Sequence, residues 1–281
     1  MNAINCVKLS DGLWQFCDAA GFRCHLLAGT KRALLIDAMG GIGDLRREIG
    51  RVTDLDVTVA LTHGHFDHIG GAFCFPEAFL PRAEQAALPA ELCHIQELRC
   101  YLEKKQLPPE QMPACLRYED APLFLDIQEG DVLDLGGLTV QTVALPGHTA
   151  GSVGYLCAEK KLLFVGDAAT PVMCLFFENS LPIEGYRATL AKMRTLPFDY
   201  FLTSHHAKVF PKALLDDFDA CAAFAVHDRG MYFQHDFLPE YRGNLHVYRG
   251  TNSEADDFLA LISRYVPHDR EKRRVGSTPA E

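Results

Sequence analysis

The sequence predicts an α/β protein in which two β-sheets are flanked by helices. Short apolar runs recur along the chain, each bounded by glycine or charged turn residues, as strands are. Stretches with apolar residues at helical spacing alternate with them. Histidine and aspartate gather directly after several of the apolar runs, on turns where buried strands would end.

Cys24 to Ala28 and Ala33 to Asp37 are apolar runs joined by Gly29-Thr30-Lys31-Arg32, which reads as a hairpin opening the first sheet. Gly40-Gly41-Ile42-Gly43 breaks the chain, and Asp44 is placed to cap a helix carrying Leu45, Ile49 and Val52 on one face. The run Val57 to Leu61 completes strand, helix, strand. Pro89, Pro108, Pro109 and Pro113 then punctuate the long stretch from His68 to His148. Within it, Leu92, Ile95, Leu98 and Leu102 fall near helical spacing, so a helical insertion is expected around residues 90–120. It reads equally as a lid over the histidines and as an elaboration packed away from them.

Gly130 to Gly137 reads as turn, strand, turn, followed by strands Leu138 to Leu145, Val153 to Cys157 and Leu162 to Val165, the last two joined through Glu159-Lys160-Lys161. Pro171 to Phe177 reads as an unusually apolar loop that either walls a pocket or packs in the core. Ile183 to Leu196 suits a helix, Tyr200 to Thr203 a strand and Pro211 to Ala225 a helix. One catalytic domain is expected over residues 1–266. Residues 267–281, which carry the basic cluster Arg270 to Arg274 beside Pro267, Gly276 and Pro279, read as a flexible tail.

Hydrophobic residues make up 48% of the 281 and charged ones 23%, ordinary for a folded enzyme. The N-terminus lacks a basic stretch followed by an apolar core, and no apolar run is long enough to span a bilayer, so a cytoplasmic protein without membrane attachment is expected. Ten scattered cysteines, none in a C-x-x-C pair, read as thiols; Cys174 stands out for following Asp167 closely. A formal net charge of −10 argues against a nucleic-acid partner, which would be held by clustered Lys and Arg.

The chemistry is concentrated in Thr62-His63-Gly64-His65-Phe66-Asp67-His68, directly after the run Val57 to Leu61. Imidazoles and a carboxylate so grouped suit a divalent transition metal, most often zinc, and His63 and His65 can point one way while Asp67 and His68 turn towards a second site. Any one histidine after a strand is ordinarily a solvent-facing or capped residue; the grouping is what points to metal.

This run resembles the T-H-x-H-x-D-H signature of the metallo-β-lactamase superfamily. Pro146-Gly147-His148-Thr149 matches the family's P-G-H-T turn, and Phe164-Val165-Gly166-Asp167 ends an apolar run as the family's bridging aspartate does. Phe201-Leu202-Thr203-Ser204-His205 supplies the last motif, with Ser204 where glycine is usual and His206 adjacent. The resemblance covers about Cys24 to His205 and implies a four-layer αββα sandwich.

It further implies that His63, His65 and His148 bind one metal, that Asp67, His68 and His205 bind the other, and that Asp167 bridges them. Two divalent ions are implied, zinc first, with iron or manganese as alternatives. A hydroxide held on them would be the nucleophile, with Asp67 orienting the water and passing its proton on. The expected activity is hydrolysis of a small thioester, lactone, ester or amide, in the manner of the glyoxalase II-like and lactonase-like members. Lactonases of the family often carry a tyrosine just after the bridging aspartate, where this chain has Ala168-Ala169-Thr170. A mononuclear iron enzyme related to persulfide dioxygenases, and a phosphodiesterase, are the alternatives. The expected partner is a small-molecule substrate, and a homodimer is left open.

Overall fold

The computed structural model describes residues 3–106, 108–109, 112, 120–236, 238–250 and 257–264. The first sheet runs in strand order from β1 (Ile4–Ser10) through β2 (Leu13–Asp18), β3 (Arg23–Ala28), β4 (Ala33–Ile36), β5 (Val57–Ala60) and β6 (Glu77–Phe79) to β7 (Leu123–Leu125). The later strands are β8 (Val132–Asp134), β9 (Thr139–Ala144), β10 (Val153–Cys157), β11 (Leu162–Gly166), β12 (Val172–Leu175), β13 (Tyr200–Thr203), β14 (Phe210–Pro211), β15 (Met231–Gln234), β16 (Arg242–Arg249) and β17 (Leu259–Arg264). The second sheet has the order β14-β13-β11-β10-β9-β8, and the third β12-β17-β16-β15. The helices are α1 (Leu45–Ile49), α2 (Phe66–Ile69), α3 (Arg82–Gln85), α4 (Leu88–Lys104), α5 (Ile183–Thr195) and α6 (Leu214–His227).

The layering follows from the two-residue period of the strands. In β4, Leu34 and Ile36 face the second sheet, where Tyr155, Phe164 and Leu202 meet them. Ala33 and Leu35 face the other way, into a core completed by Leu45 and Ile49 of α1, Ile69 of α2 and Ile95 and Leu98 of α4. The second sheet divides likewise: Leu163 and Val165 of β11 pack against Tyr186 and Leu190 of α5 and Leu215 and Phe218 of α6. Both central sheets are therefore buried on both faces, which is why their strands read as unbroken apolar runs. The result is the expected αββα sandwich.

Local expectations are met in detail at several elements. Asp44 caps α1 by accepting a hydrogen bond from Arg47 N, and the turn at residues 29–32 joins β3 to β4. The helix of the long central stretch is α4, whose apolar side packs into the first core while Glu91 and His94 border the cavity described below. The rest of the expected insertion falls largely outside the described residues, as does the tail 267–281. The expected loop at 171–177 is instead mostly strand β12, paired in parallel with β17 in a third sheet that the sequence reading does not contain. The helix expected from Pro211 starts later, at Leu214, because Phe210–Pro211 pairs with β13. The described cysteines are free thiols. No helix among the described residues is long and apolar enough to cross a membrane.

Candidate metal centre

Four strand ends converge. β5 leads into the loop carrying His63 and His65 and then into α2, which carries Asp67 and His68. β9 ends at the turn of His148, β11 at Asp167 and β13 just before His205. β4 and β5 run parallel, as do β11 and β13, so the carboxyl ends of these strands open on one side, where an open α/β sheet places its sites.

All seven sequence-predicted residues meet there. The ligand atoms of His63, His65 and His148 lie within 4.8 Å of one another, as do those of Asp67, His68 and His205. Asp167 stands between the sets: its Oδ2 is 3.6 Å from His148 Nε2 and 3.0 Å from His205 Nε2, and its Oδ1 is 3.6 Å from His68 Nε2. His206 belongs to neither set, and its Nδ1 is 3.0 Å from Thr203 Oγ1.

The donor set fits divalent ions. His63 Nε2, His68 Nε2 and Asp167 Oδ1 are buried and have no hydrogen-bond partner, an arrangement that ordinarily costs about 1–3 kcal/mol for each such group. His63 and His68, whose Nε2 atoms are open, and His148, whose Nε2 is 2.9 Å from His65 Nδ1, are each held through the other nitrogen. His63 Nδ1 lies 3.1 Å from the Thr62 hydroxyl, His68 Nδ1 donates to Asp37 Oδ2 at 2.8 Å, and His148 Nδ1 donates to the Cys174 carbonyl at 2.9 Å. This fixes the tautomer that offers Nε2 as a ligand.

Electrostatics point the same way. Burial, reinforced by the neighbouring imidazoles, holds His63 and His65 well below the ordinary histidine range, so they present neutral, ligating rings. Burial would also lower His205, but Asp167 and Asp67 push it up to about 10. Burial would raise Asp67, yet His68 and His205 bring its carboxyl down to about 2. Two carboxylates among five imidazoles thus stay ionised.

Residues that the sequence reading missed hold this arrangement. Asp37, fully buried at the end of β4, accepts from Thr62 N (2.8 Å), Thr62 Oγ1 (2.9 Å), His68 Nδ1 (2.8 Å) and Ser204 Oγ (2.6 Å). One carboxylate thereby ties the first and last motifs together. Ser204, standing where the family usually has glycine, uses its hydroxyl for that bond. Glu84 accepts from Gly64 N, Thr149 Oγ1 and Gly151 N, locking the first motif to the second, and Glu91 accepts from Phe66 N. The only signal for Asp37 is its place after an apolar run; Glu84 and Glu91 sit in helical sequence, where glutamate normally faces water.

Gly166 has φ +52°, and a Cβ built there would lie 2.3 Å from Thr62 Oγ1. Gly166→Ala is therefore expected to displace Thr62 and with it His63, costing about 2–4 kcal/mol of stability and weakening metal binding roughly tenfold or more. Urea unfolding and competition with a metal chelator check this; a midpoint and affinity equal to the parent's would refute it.

A cavity of about 370 Å³ opens over the cluster, with His65, Asp67, His148, Asp167 and His205 on its floor. Phe177 packs tilted against the ring of His65 and edge-to-face against that of His148, centroids 4.4 and 5.1 Å away. A smaller cavity of about 210 Å³ shares part of that floor and adds Thr170 and His206. Val172, Cys174, Phe176 and Phe177 border the larger cavity, whereas Met173 and Leu175 point into the core with α5 and α6. The apolar segment after Asp167 thus serves both roles the sequence left open, on alternate faces of one strand.

The sequence profile of the Metallo-beta-lactamase superfamily matches residues 23–205, from the start of β3 to His205. The hydroxyacylglutathione hydrolase GloC of Haemophilus influenzae is 34% identical over 142 residues, covering 49% of this chain and 61% of that protein. The acyl-coenzyme A thioesterase MBLAC2 of Gallus gallus is 32% identical over 155 residues, covering 50% and 55%. The chain spans little more than half the length of the curated relatives it matches. Among solved structures, a metallo-beta-lactamase from Pontibacter korlensis superposes with a TM-score of 0.55 at 13% identity, covering 78% of this chain and 99% of that one. That likeness bears on the fold alone.

Proposed function

This chain belongs to the metallo-beta-lactamase superfamily, and we propose that it is a metal-dependent hydrolase that cleaves small thioesters or related esters. The observation that carries the reading is the convergence of the seven side chains with Asp167 reaching both sets and three buried ligand atoms left without partners. The relatives named as a hydroxyacylglutathione hydrolase and an acyl-coenzyme A thioesterase support a thioester as the substrate.

His63, His65 and His148 would hold one divalent ion and Asp67, His68 and His205 the other, with Asp167 shared; zinc suits these ligands best. Such a pair supplies a water of lowered pKa and an electrophile for the carbonyl oxygen. The chain's own groups do the rest. Hydrolysis forms a C–O bond, breaks the acyl C–S bond and moves a proton from water to the departing sulfur. Asp67, buried but bordering the cavity, is the carboxylate placed to orient the water and carry that proton. Phe177, packed beside His65 and His148, keeps bulk water from that side of the floor.

Metal analysis of the purified protein, with hydrolysis measured on thioester, lactone and phosphodiester substrates, tests the proposal. Thioester turnover that a chelator abolishes and zinc restores is expected; turnover of the phosphodiester alone would overturn it. Asp67→Asn is expected to retain the fold and much of the metal while losing most turnover, roughly 10²-fold or more, because an amide cannot accept the proton. Turnover within twofold of the parent would remove Asp67 from the mechanism.

A further inference from the structure

The profile match ends at His205, yet the cavity over the cluster does not. Its far wall comes from the third sheet and the segment beside it: Phe233 of β15, Leu238, Tyr241 and Ile262 of β17. β12 carries this sheet to the centre, since Val172 to Leu175 pairs in register with Ala260 to Ser263. The aromatic rings then form a continuous surface. Phe177 is 4.4 Å from His65, Tyr241 is 5.1 Å from Phe177, and Phe176 is 4.3 Å from Phe177 and 5.6 Å from Phe233.

The polar groups of the wall are acidic or already engaged. Glu91 accepts from Phe66 N at 2.9 Å and faces His94 Nδ1 at 3.3 Å, His94 Nε2 is 3.8 Å from Glu240, and His235, also on the lining, accepts at Nδ1 from Leu238 N at 3.3 Å. No lysine or arginine stands among the described residues that line the chamber. A carboxylate or phosphate carried out past the metal-ligand floor would shed its water against aromatic faces and find no lysine or arginine to pair with, which is costly. An uncharged aromatic or branched aliphatic group would instead exchange water for ring contacts. The smaller cavity beside Thr170 and His206 leaves room for the other arm of the substrate.

We propose that the third sheet is the specificity element of this protein: the aromatic chamber it completes accepts an uncharged aromatic or bulky aliphatic group attached to the scissile carbonyl, and turns away anionic ones. The assignment rests on the thioester reading for the bond cleaved, but the chamber's preference can be measured without turnover. Such a group can reach the chamber from either side of the bond, as the acyl part or as the thiol.

The zinc-loaded protein is to be assayed with phenylacetyl, acetyl and succinyl thioesters of N-acetylcysteamine, and with S-(2-phenylethyl) thioacetate, whose leaving group is likewise an alkanethiol. In parallel, calorimetry is to measure binding of the ketone analogues of the phenylacetyl and succinyl compounds, in which CH2 replaces sulfur. A phenylacetyl kcat/KM roughly tenfold or more above acetyl, with succinyl lowest, places the group on the acyl side. A comparable gain confined to S-(2-phenylethyl) thioacetate places it on the thiol side, and both support the chamber's role.

Tighter binding of the phenyl ketone than of the succinyl ketone supports the chamber even if no thioester is cleaved, a result that would defeat the thioesterase reading alone. Equal or preferred binding of the succinyl analogue overturns the proposal. Phe233→Arg, at a half-buried strand position, is expected to narrow the phenyl-to-succinyl binding ratio roughly tenfold with metal content retained. If that variant does not fold, Phe233→Ala must still lower phenyl-ketone affinity. An unchanged ratio in a folded Phe233→Arg protein, or unchanged affinity in Phe233→Ala, overturns the assignment of the third sheet.

Discussion

Asp167→Ala is expected to leave the protein with less than about one metal equivalent and to lower kcat/KM by roughly 10³-fold, the scale seen when a group acting at the reacting centre is removed. The reason is positional. The two oxygens of Asp167 reach His148, His205 and His68, which belong to both sets, so its loss removes a ligand from each and leaves five imidazoles without the charge between them. Burial and the neighbouring imidazoles, His68 among them, already hold His63 and His65 low, and the variant removes the Asp167 charge that opposes this at both rings. Metal analysis after dialysis, with turnover on the preferred thioester, checks the result. Retention of two equivalents would show that Asp167 is not shared.

Asp37→Ala is expected to cost about 3–5 kcal/mol of stability and to weaken metal binding roughly 10–100-fold, although Asp37 is not one of the converging ligands. Removing its carboxylate strands four buried donors at once, from Thr62, His68 and Ser204, and frees the ring of His68 to turn. A second cost comes from geometry relaxing elsewhere: Ser204 precedes His205, so the loss loosens both ends of the second ligand set. Denaturant unfolding with and without bound zinc separates the two effects. A parent-like midpoint would mean that water replaces the carboxylate without penalty.

The candidate ligands were readable because histidine and aspartate gather after apolar runs and because four such runs follow in order. Each motif is local, so its spacing survives in one dimension. Asp37 was not readable, since its significance lies in contacts to Thr62, His68 and Ser204, residues distant in sequence that only the parallel pairing of β4 with β5 and the facing of the two sheets bring near. Glu84 and Glu91 were hidden for a related reason: a glutamate in a helix looks solvent-facing until the loops it clamps are in place.

The sandwich itself could be read from apolar runs and helical spacing, whereas the third sheet could not. β12 was visible as the apolar stretch after Asp167, but its partner β17 begins at Leu259, and β15 exposes most of its residues, so neither alternation nor proximity marks them as one sheet. That omission matters, because the chamber wall belongs to the part of the chain that the family motifs do not reach.

The central claim is that seven side chains on four strand ends hold two divalent ions. Metal content per chain, measured by plasma mass spectrometry on zinc-loaded parent and His63→Ala proteins after removal of free metal, tests it most directly. About two equivalents in the parent and about one in His63→Ala, with turnover lost, is the predicted result. A parent that binds one equivalent or none, or a His63→Ala protein that keeps the parent's metal and activity, would contradict it.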